Sequence, residues 1–251
     1  ALKTVDCRVE QYPLREENGF ELTWEFIDSL RQDLGIVFLC NPNNPTGRLI
    51  PRELMEKIME KCRELGILLA VDECFMDFIE DFKEYTMLGA VESCKELFIL
   101  KAFTKNYAMP GLRLGYCLCS DEALLADMER MGQPWSVSLP AQLAGVRALK
   151  EKEYLEKVAS LILEEKEYLL GELENLNIKT YPPAANYILL RLSDIETREQ
   201  SQRFKEALLE KGIIIRDCSN YRGLGPGYYR IAVKDRRANE KLIKALKNWG
   251  K

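Results

Sequence analysis

The sequence predicts an α/β chain that ends in a smaller α+β unit, and three patterns carry that prediction. Short continuous apolar runs at Ile36–Cys40, Ile67–Val71 and Leu97–Leu100 read as strands, the first two as parallel strands buried on both faces. Between those two lies Arg52–Leu65, a helix opened by Pro51 and closed by Gly66, with Leu54, Ile58, Cys62 and Leu65 along its apolar face. From about Asn177 the strands Ile178–Tyr181, Asn186–Leu192, Ile213–Asp217 and Tyr228–Val233 alternate with the helices Glu196–Glu210 and Ala238–Lys247.

Composition narrows the chemistry. At 251 residues, 47% hydrophobic and 30% charged, the chain can bury a core and form one large or two small domains. A net charge of −4 offers nothing to attract nucleic acid or an anionic membrane, and no apolar run approaches spanning length. The eight cysteines include no CxxC pair, so reduced thiols of a cytoplasmic protein fit better than a zinc site or a disulfide framework. The histidine count is zero, which excludes Ser-His-Asp and Cys-His catalysis and leaves lysine, carboxylates and tyrosine for acid–base work.

Taken in order, residues 1–35 read as a short polar strand at Cys7–Val9, a turn at Pro13 and an amphipathic helix near Thr23–Gln32. The first apolar strand ends in Asn41-Pro42-Asn43-Asn44-Pro45-Thr46-Gly47, where two prolines stiffen the loop and can hold an amide side chain in place. The second ends in Asp72-Glu73-Cys74-Phe75; a strand-end aspartate either caps the next turn or faces a ligand at the carboxyl edge of the sheet. The third leads into Leu100–Tyr116, LKAFTKNYAMPGLRLGY, with Thr104 and Lys105 in its loop and Arg113 behind a Pro-Gly turn.

A lysine among Phe103, Tyr107 and Met109 is expected to be desolvated, which lowers its pKa toward that of a usable nucleophile. An arginine brought back beside it is a fork for phosphate. Together they suggest a Schiff-base lysine with a phosphate anchor, the requirement of pyridoxal 5′-phosphate (PLP). Two ordinary cations on an exposed turn are the plainer alternative.

Beyond the strand Tyr116–Cys119, Ser120 is expected to cap a helix Asp121–Met131. Pro140 opens a long helical region with an interruption near Glu151, and its Lys150–Glu167 run reads as a solvated face. Near the end, Arg216 and Arg230 lie in or at strands. A guanidinium there needs a partner, either Asp217 or Asp235 or a bound carboxylate or phosphate.

TKxYAxPGLRLGY resembles the lysine signature of the fold-type I PLP enzymes, the class I/II aminotransferase family, and is similar to that of its threonine-phosphate decarboxylase branch. NPxNPTG, the VDE at Asp72 and PPAANY at Pro182–Tyr187 fit the same family, so the resemblance covers essentially the whole chain. It implies residues 1–150 as the later part of the large PLP-binding domain, a mostly parallel sheet with helices on both faces. Residues 151–251 become a linker helix and an α+β small domain. The family's N-terminal arm, phosphate loop and ring-stacking aromatic come earlier in its pattern, so the chain is expected to be a fragment or a truncated product.

The resemblance also implies roles. Lys105 attaches the cofactor and shuttles protons, Asp72 pairs with the pyridine nitrogen, and Asn44 donates to the 3′-oxygen. Thr104 and Arg113 hold the phosphate; Arg216 and Arg230 orient the substrate's anions. Phe75 stands in the cofactor site where many relatives have tyrosine, Cys74 replaces a usual alanine, and Ala102 lacks a common hydroxyl. The activity implied is decarboxylation of threonine O-3-phosphate, a step of cobalamin side-chain synthesis, by a homodimer. The alternatives are a histidinol-phosphate-type aminotransferase and a chain inert by itself.

Overall fold

The computed structural model describes residues 5–249, and in it the apolar runs line up as one sheet. The elements are α1 (Glu25–Asp28), β1 (Ile36–Cys40), α2 (Arg52–Leu65), β2 (Leu68–Asp72), α3 (Phe82–Tyr85), β3 (Leu97–Ala102), α4 (Phe103–Asn106) and β4 (Gly115–Leu118). The sheet order is β1-β2-β3-β4. Its first three strands are parallel and β4 runs antiparallel to β3. Register matters here: Cys40 pairs with Asp72, and Asp72 with Leu100, so β1, β2 and β3 end at one edge. Leu54, Met55, Ile58 and Cys62 of α2 pack on Val37, Leu69, Val71, Leu97 and Ile99. Each such side chain contributes about 1.5–3 kcal/mol on burial.

Next come α5 (Glu122–Met131), α6 (Leu139–Ala148) and the long α7 (Lys152–Asn175). Beyond them lie β5 (Lys179–Thr180), β6 (Tyr187–Arg191), α8 (Arg198–Glu210), β7 (Arg216–Asp217), β8 (Tyr228–Ala232) and α9 (Arg236–Lys247). The second sheet, β5-β6-β8-β7, is antiparallel throughout. Alternation along its strands gives it two buried faces. Ile188, Leu190, Tyr229 and Ile231 meet α7, α8 and α9 through Leu169, Phe204 and Leu242. Leu189 and Tyr228 face the other way and are covered by Phe20 and Tyr181.

Glu16 fastens that N-terminal cover. Its carboxylate accepts from Lys179 at 2.7 Å, from Arg191 at 3.1 Å, and from the Tyr181 and Tyr228 hydroxyls. Partial burial pushes the carboxyl up, but the hydrogen bonds from Lys179, Tyr181 and Tyr228 prevail and hold it down at about 2.

Several expected elements differ. Cys7–Val9 is irregular, without a strand partner. The helix expected over Thr23–Gln32 is the single turn α1, because the Thr23 hydroxyl bonds the Glu25 carboxylate and no side chain caps the turn. Asp121, not Ser120, caps α5, accepting from Ala123 N at 3.0 Å and Leu124 N at 3.1 Å. The strand expected over Ile213–Asp217 is only β7; the long helical region, by contrast, is interrupted as expected, between Ala148 and Lys152. Among the described residues no helix is long and apolar enough to cross a membrane.

Candidate active site

The shared edge of β1, β2 and β3 collects the expected residues. Asn44 lies in the loop after β1, Asp72 ends β2, and Thr104 and Lys105 form the turn after β3. Ala102 pairs with Gly115, so the chain enters β4 beside that turn and brings Arg113 to the same edge. Carboxyl ends of parallel strands are where open α/β sheets bind ligands.

The 41–47 loop is held from within. Buried Asn41 accepts from Ile50 N at 2.9 Å, Asn43 Nδ2 donates to Thr46 Oγ1 at 2.8 Å, and Gly47 N donates to Asn43 O at 2.7 Å. The loop also docks on the second sheet's approach segment. Ala184 N donates to Gly47 O at 2.9 Å and the Tyr187 hydroxyl to Asn43 O at 2.8 Å. Gly47 has φ +76°, and a Cβ there would stand 3.2 Å from Pro183 Cα, so the docking requires glycine.

From that junction a continuous row crosses the site. Arg230 Nη1 donates to Asn44 Oδ1, which leaves the Asn44 amide NH₂ free to donate elsewhere. The Arg230 guanidinium lies 5.0 Å over the Tyr187 ring, Tyr187 meets the Phe75 ring edge-on at 5.1 Å, and Lys105 Nζ sits 5.4 Å from the Phe75 centroid. Burial pushes the Tyr187 phenol up, with Arg230 opposing, so it stays protonated and donates. Phe75 and Tyr187 thus form an aromatic floor between a lysine and an arginine.

The desolvating shell expected for Lys105 is not there. Phe103 and Tyr107 stack on each other at 5.4 Å, Lys105 is exposed, and its one aromatic neighbour is Phe75. Asp72 Oδ1 accepts from Cys74 N at 2.9 Å, as a turn cap would, while Oδ2 has only the Cys40 thiol at 4.0 Å. One oxygen therefore remains for a ligand. Burial pushes the Cys40 thiol up to about 11, helped by the Asp72 charge, and Cys74 up to about 12. Both stay neutral beside the carboxylate.

Arg113 is exposed, in the left-handed region at φ 54°, and donates to Pro110 O at 3.2 Å. Arg216 and Arg230 are direct cross-strand partners in β7 and β8. Arg216 donates to Asn220 Oδ1 at 3.2 Å. Neither takes the carboxylate that a structural pair would use: Asp217 is held by Lys205 at 2.8 Å, and Asp235 caps α9. Facing like charges destabilise a sheet unless something between them is anionic.

Two features escaped the sequence reading. Tyr187 lies in the PPAANY motif, which by itself assigns it no contact. Lys101, Glu73 and Asp77 form a charge cluster beneath the site, with Lys101 Nζ 2.6 Å from Asp77 Oδ1. A lysine inside the apolar run Leu97–Ala102 was its signal, since a charge there needs partners. Burial pushes the Glu73 carboxyl up, against hydrogen bonds from Thr86 and Met87.

One strand edge thus gathers a lysine, a carboxylate with a free oxygen and an arginine-clamped amide. The chain belongs to the family "Aminotransferase class I and II", whose model matches residues 1–246. Its fold is that of the fold-type I PLP enzymes, and the family is PLP-dependent. It is 40% identical to the threonine-phosphate decarboxylase of Salmonella typhimurium over 251 residues, which are 99% of this chain and 66% of that one. It is 34% identical to the histidinol-phosphate aminotransferase of Methanosarcina mazei over 241 residues, 96% of this chain and 61% of the other. The crystal structure of the histidinol-phosphate aminotransferase from Clostridium acetobutylicum superposes with a TM-score of 0.85 at 32% identity, covering 91% of this chain and 68% of that one. The chain therefore spans less than two thirds of the length of these curated relatives.

Proposed function

We propose that the protein is a PLP enzyme that removes the carboxylate of threonine O-3-phosphate. The observation that carries the reading is the 40% identity, over nearly the whole chain, to a threonine-phosphate decarboxylase. The donor set agrees with the cofactor: an exposed amine, a carboxylate with one oxygen free, an amide NH₂ turned outward and an arginine without a carboxylate partner.

Bound PLP supplies an electron sink for the charge left at the α-carbon when one of its bonds breaks. Lys105 would hold the cofactor through its amine, and the same Nζ would carry a proton to or from the substrate's α-carbon. Asp72, through its free oxygen, keeps the ring nitrogen protonated. Asn44 donates its NH₂ to the ring's 3′-oxygen, held in that orientation by Arg230. Arg113 and Thr104 take the cofactor phosphate, and Phe75 packs beside the ring without a hydroxyl of its own.

Arg216 and Arg230 receive the substrate's two anions. That pairing favours a substrate with both a carboxylate and a phosphate, and two anions between facing guanidiniums remove their mutual repulsion. Two fixed anions would also fix the orientation of the Cα–carboxylate bond, the bond that this reaction breaks. The same family also transfers amino groups, and the likeness to histidinol-phosphate aminotransferases supports that second reading. A homodimer belongs to the proposal, supported by the exposed apolar stripe Leu139, Leu143 and Val146 on α6. The test is to incubate the full-length protein and PLP with each phosphorylated substrate. Carbon dioxide from phosphothreonine is the expected product; amino transfer from histidinol phosphate with no carbon dioxide would replace this reading with the second.

A further inference from the structure

β3 carries one charged side chain in its buried run, Lys101, and the chemistry above gives it no task. Its side chain is 4% exposed, and its ammonium lies 2.6 Å from Asp77 Oδ1 and 3.8 Å from Glu73 Oε2. Glu73, 0% exposed, accepts from the Thr86 hydroxyl at 2.6 Å on that same Oε2 and from the Met87 amide at 2.8 Å on Oε1. The second oxygen of Asp77 accepts from Asn106 Nδ2. Glu73 follows Asp72 in the chain, and Asn106 follows Lys105. One unbroken set of ion pairs and hydrogen bonds thus joins the chain neighbours of Asp72 and Lys105.

Packing alone does not call for this arrangement. A buried ion pair is often no more stabilising than an apolar replacement of the same volume, so a methionine would fill the Lys101 space. What the charges add is direction. The turn α4 is four residues long and has no side-chain cap at its start; besides the packing of Phe103, the Asn106–Asp77 hydrogen bond is what ties it down.

We propose that Glu73, Lys101, Asp77 and Asn106 form a positioning brace that fixes the Lys105 turn against the Asp72 strand end. The brace keeps amine and carboxylate at the spacing the cofactor requires, and so rests on the reading of Lys105 and Asp72 above. None of its members touches the reacting atoms.

Three variants test it: Asn106→Ala, which cuts the last link and leaves the ion pairs; Asp77→Asn, which keeps shape and removes charge; and Lys101→Met. Each is read by hydrogen–deuterium exchange without cofactor, by the rate of borohydride trapping of PLP on Lys105, and by melting temperature. We expect exchange across residues 103–108 to rise about tenfold in Asn106→Ala and trapping to slow at least about fivefold in all three. The melting temperature of Asn106→Ala should stay within about 3 °C of wild type. Wild-type exchange and trapping in the folded variants overturn the brace, even where melting falls, because the contacts then only stabilise. If wild type itself places no PLP on Lys105, the functional reading fails, and the exchange arm alone decides the brace.

Discussion

Arg230, on the second sheet, donates to the side-chain oxygen of Asn44, in the loop after the first strand of the other sheet. The contact ties an expected substrate arginine to an expected cofactor amide and makes the amide oxygen the acceptor, leaving its NH₂ to donate. If the two residues hold substrate and cofactor as proposed, any change at Arg230 reaches both.

Arg230→Lys should damage catalysis more than stability. Lysine keeps the charge but loses the planar fork, so a carboxylate is held yet free to turn. Turnover should fall about tenfold or more with a rise in KM, and the melting temperature should move by only a few degrees, about 2–4 °C. Unchanged kinetics with a lowered melting temperature would make Arg230 a structural residue.

Asp72→Asn should leave the Cys74 amide its acceptor and so cost little stability. Without a charge to keep the ring nitrogen protonated, turnover should fall by several orders of magnitude, about 3–5 kcal/mol. A loss below about tenfold, roughly 1.4 kcal/mol, would remove Asp72 from that role.

Glu16 gives the protein an acid-sensitive fastening. Its folded pKa of about 2 lies below the unfolded value of about 4.3, so the stability it contributes is present above the unfolded pKa and is lost as pH falls toward 2. Glu16→Gln should therefore flatten the stability profile between about pH 4.5 and pH 2 and lower stability at neutral pH by about 1.5 kcal/mol. Urea titrations across that range check it; an unchanged acid limb contradicts it.

Gly47→Ala forces a side chain onto a backbone at φ +76° and against Pro183 at 3.2 Å. The cost should be about 1–3 kcal/mol, a drop of roughly 2–10 °C in melting temperature. Calorimetry showing wild-type melting would mean that the 41–47 loop does not need its close approach to the second sheet.

Much of this is legible in the sequence itself. Continuous apolar runs flanked by turn residues mark β1, β2 and β3 because a strand buried on both faces must be apolar on both. Parallel pairing then carries Asn44, Asp72 and Lys105 to one edge. The Cys7–Val9 strand and the Thr23–Gln32 helix failed because short segments depend on partners and caps that composition does not reveal. The exposure of Lys105 was missed for a related reason. Sequence proximity put Phe103 and Tyr107 around it, whereas the two rings satisfy each other by stacking. Lys101 was legible in principle, since the argument applied to Arg230 applies equally to a lysine inside a buried strand.

The central claim is that Lys105 is the amine that holds PLP, and reduction of the cofactor-loaded protein with borohydride followed by peptide mapping tests it most directly. The account predicts one pyridoxyl label, on the peptide containing Lys105, and its loss in Lys105→Ala with the fold retained. A label on Lys101 or any other lysine, or none on Lys105, would contradict it.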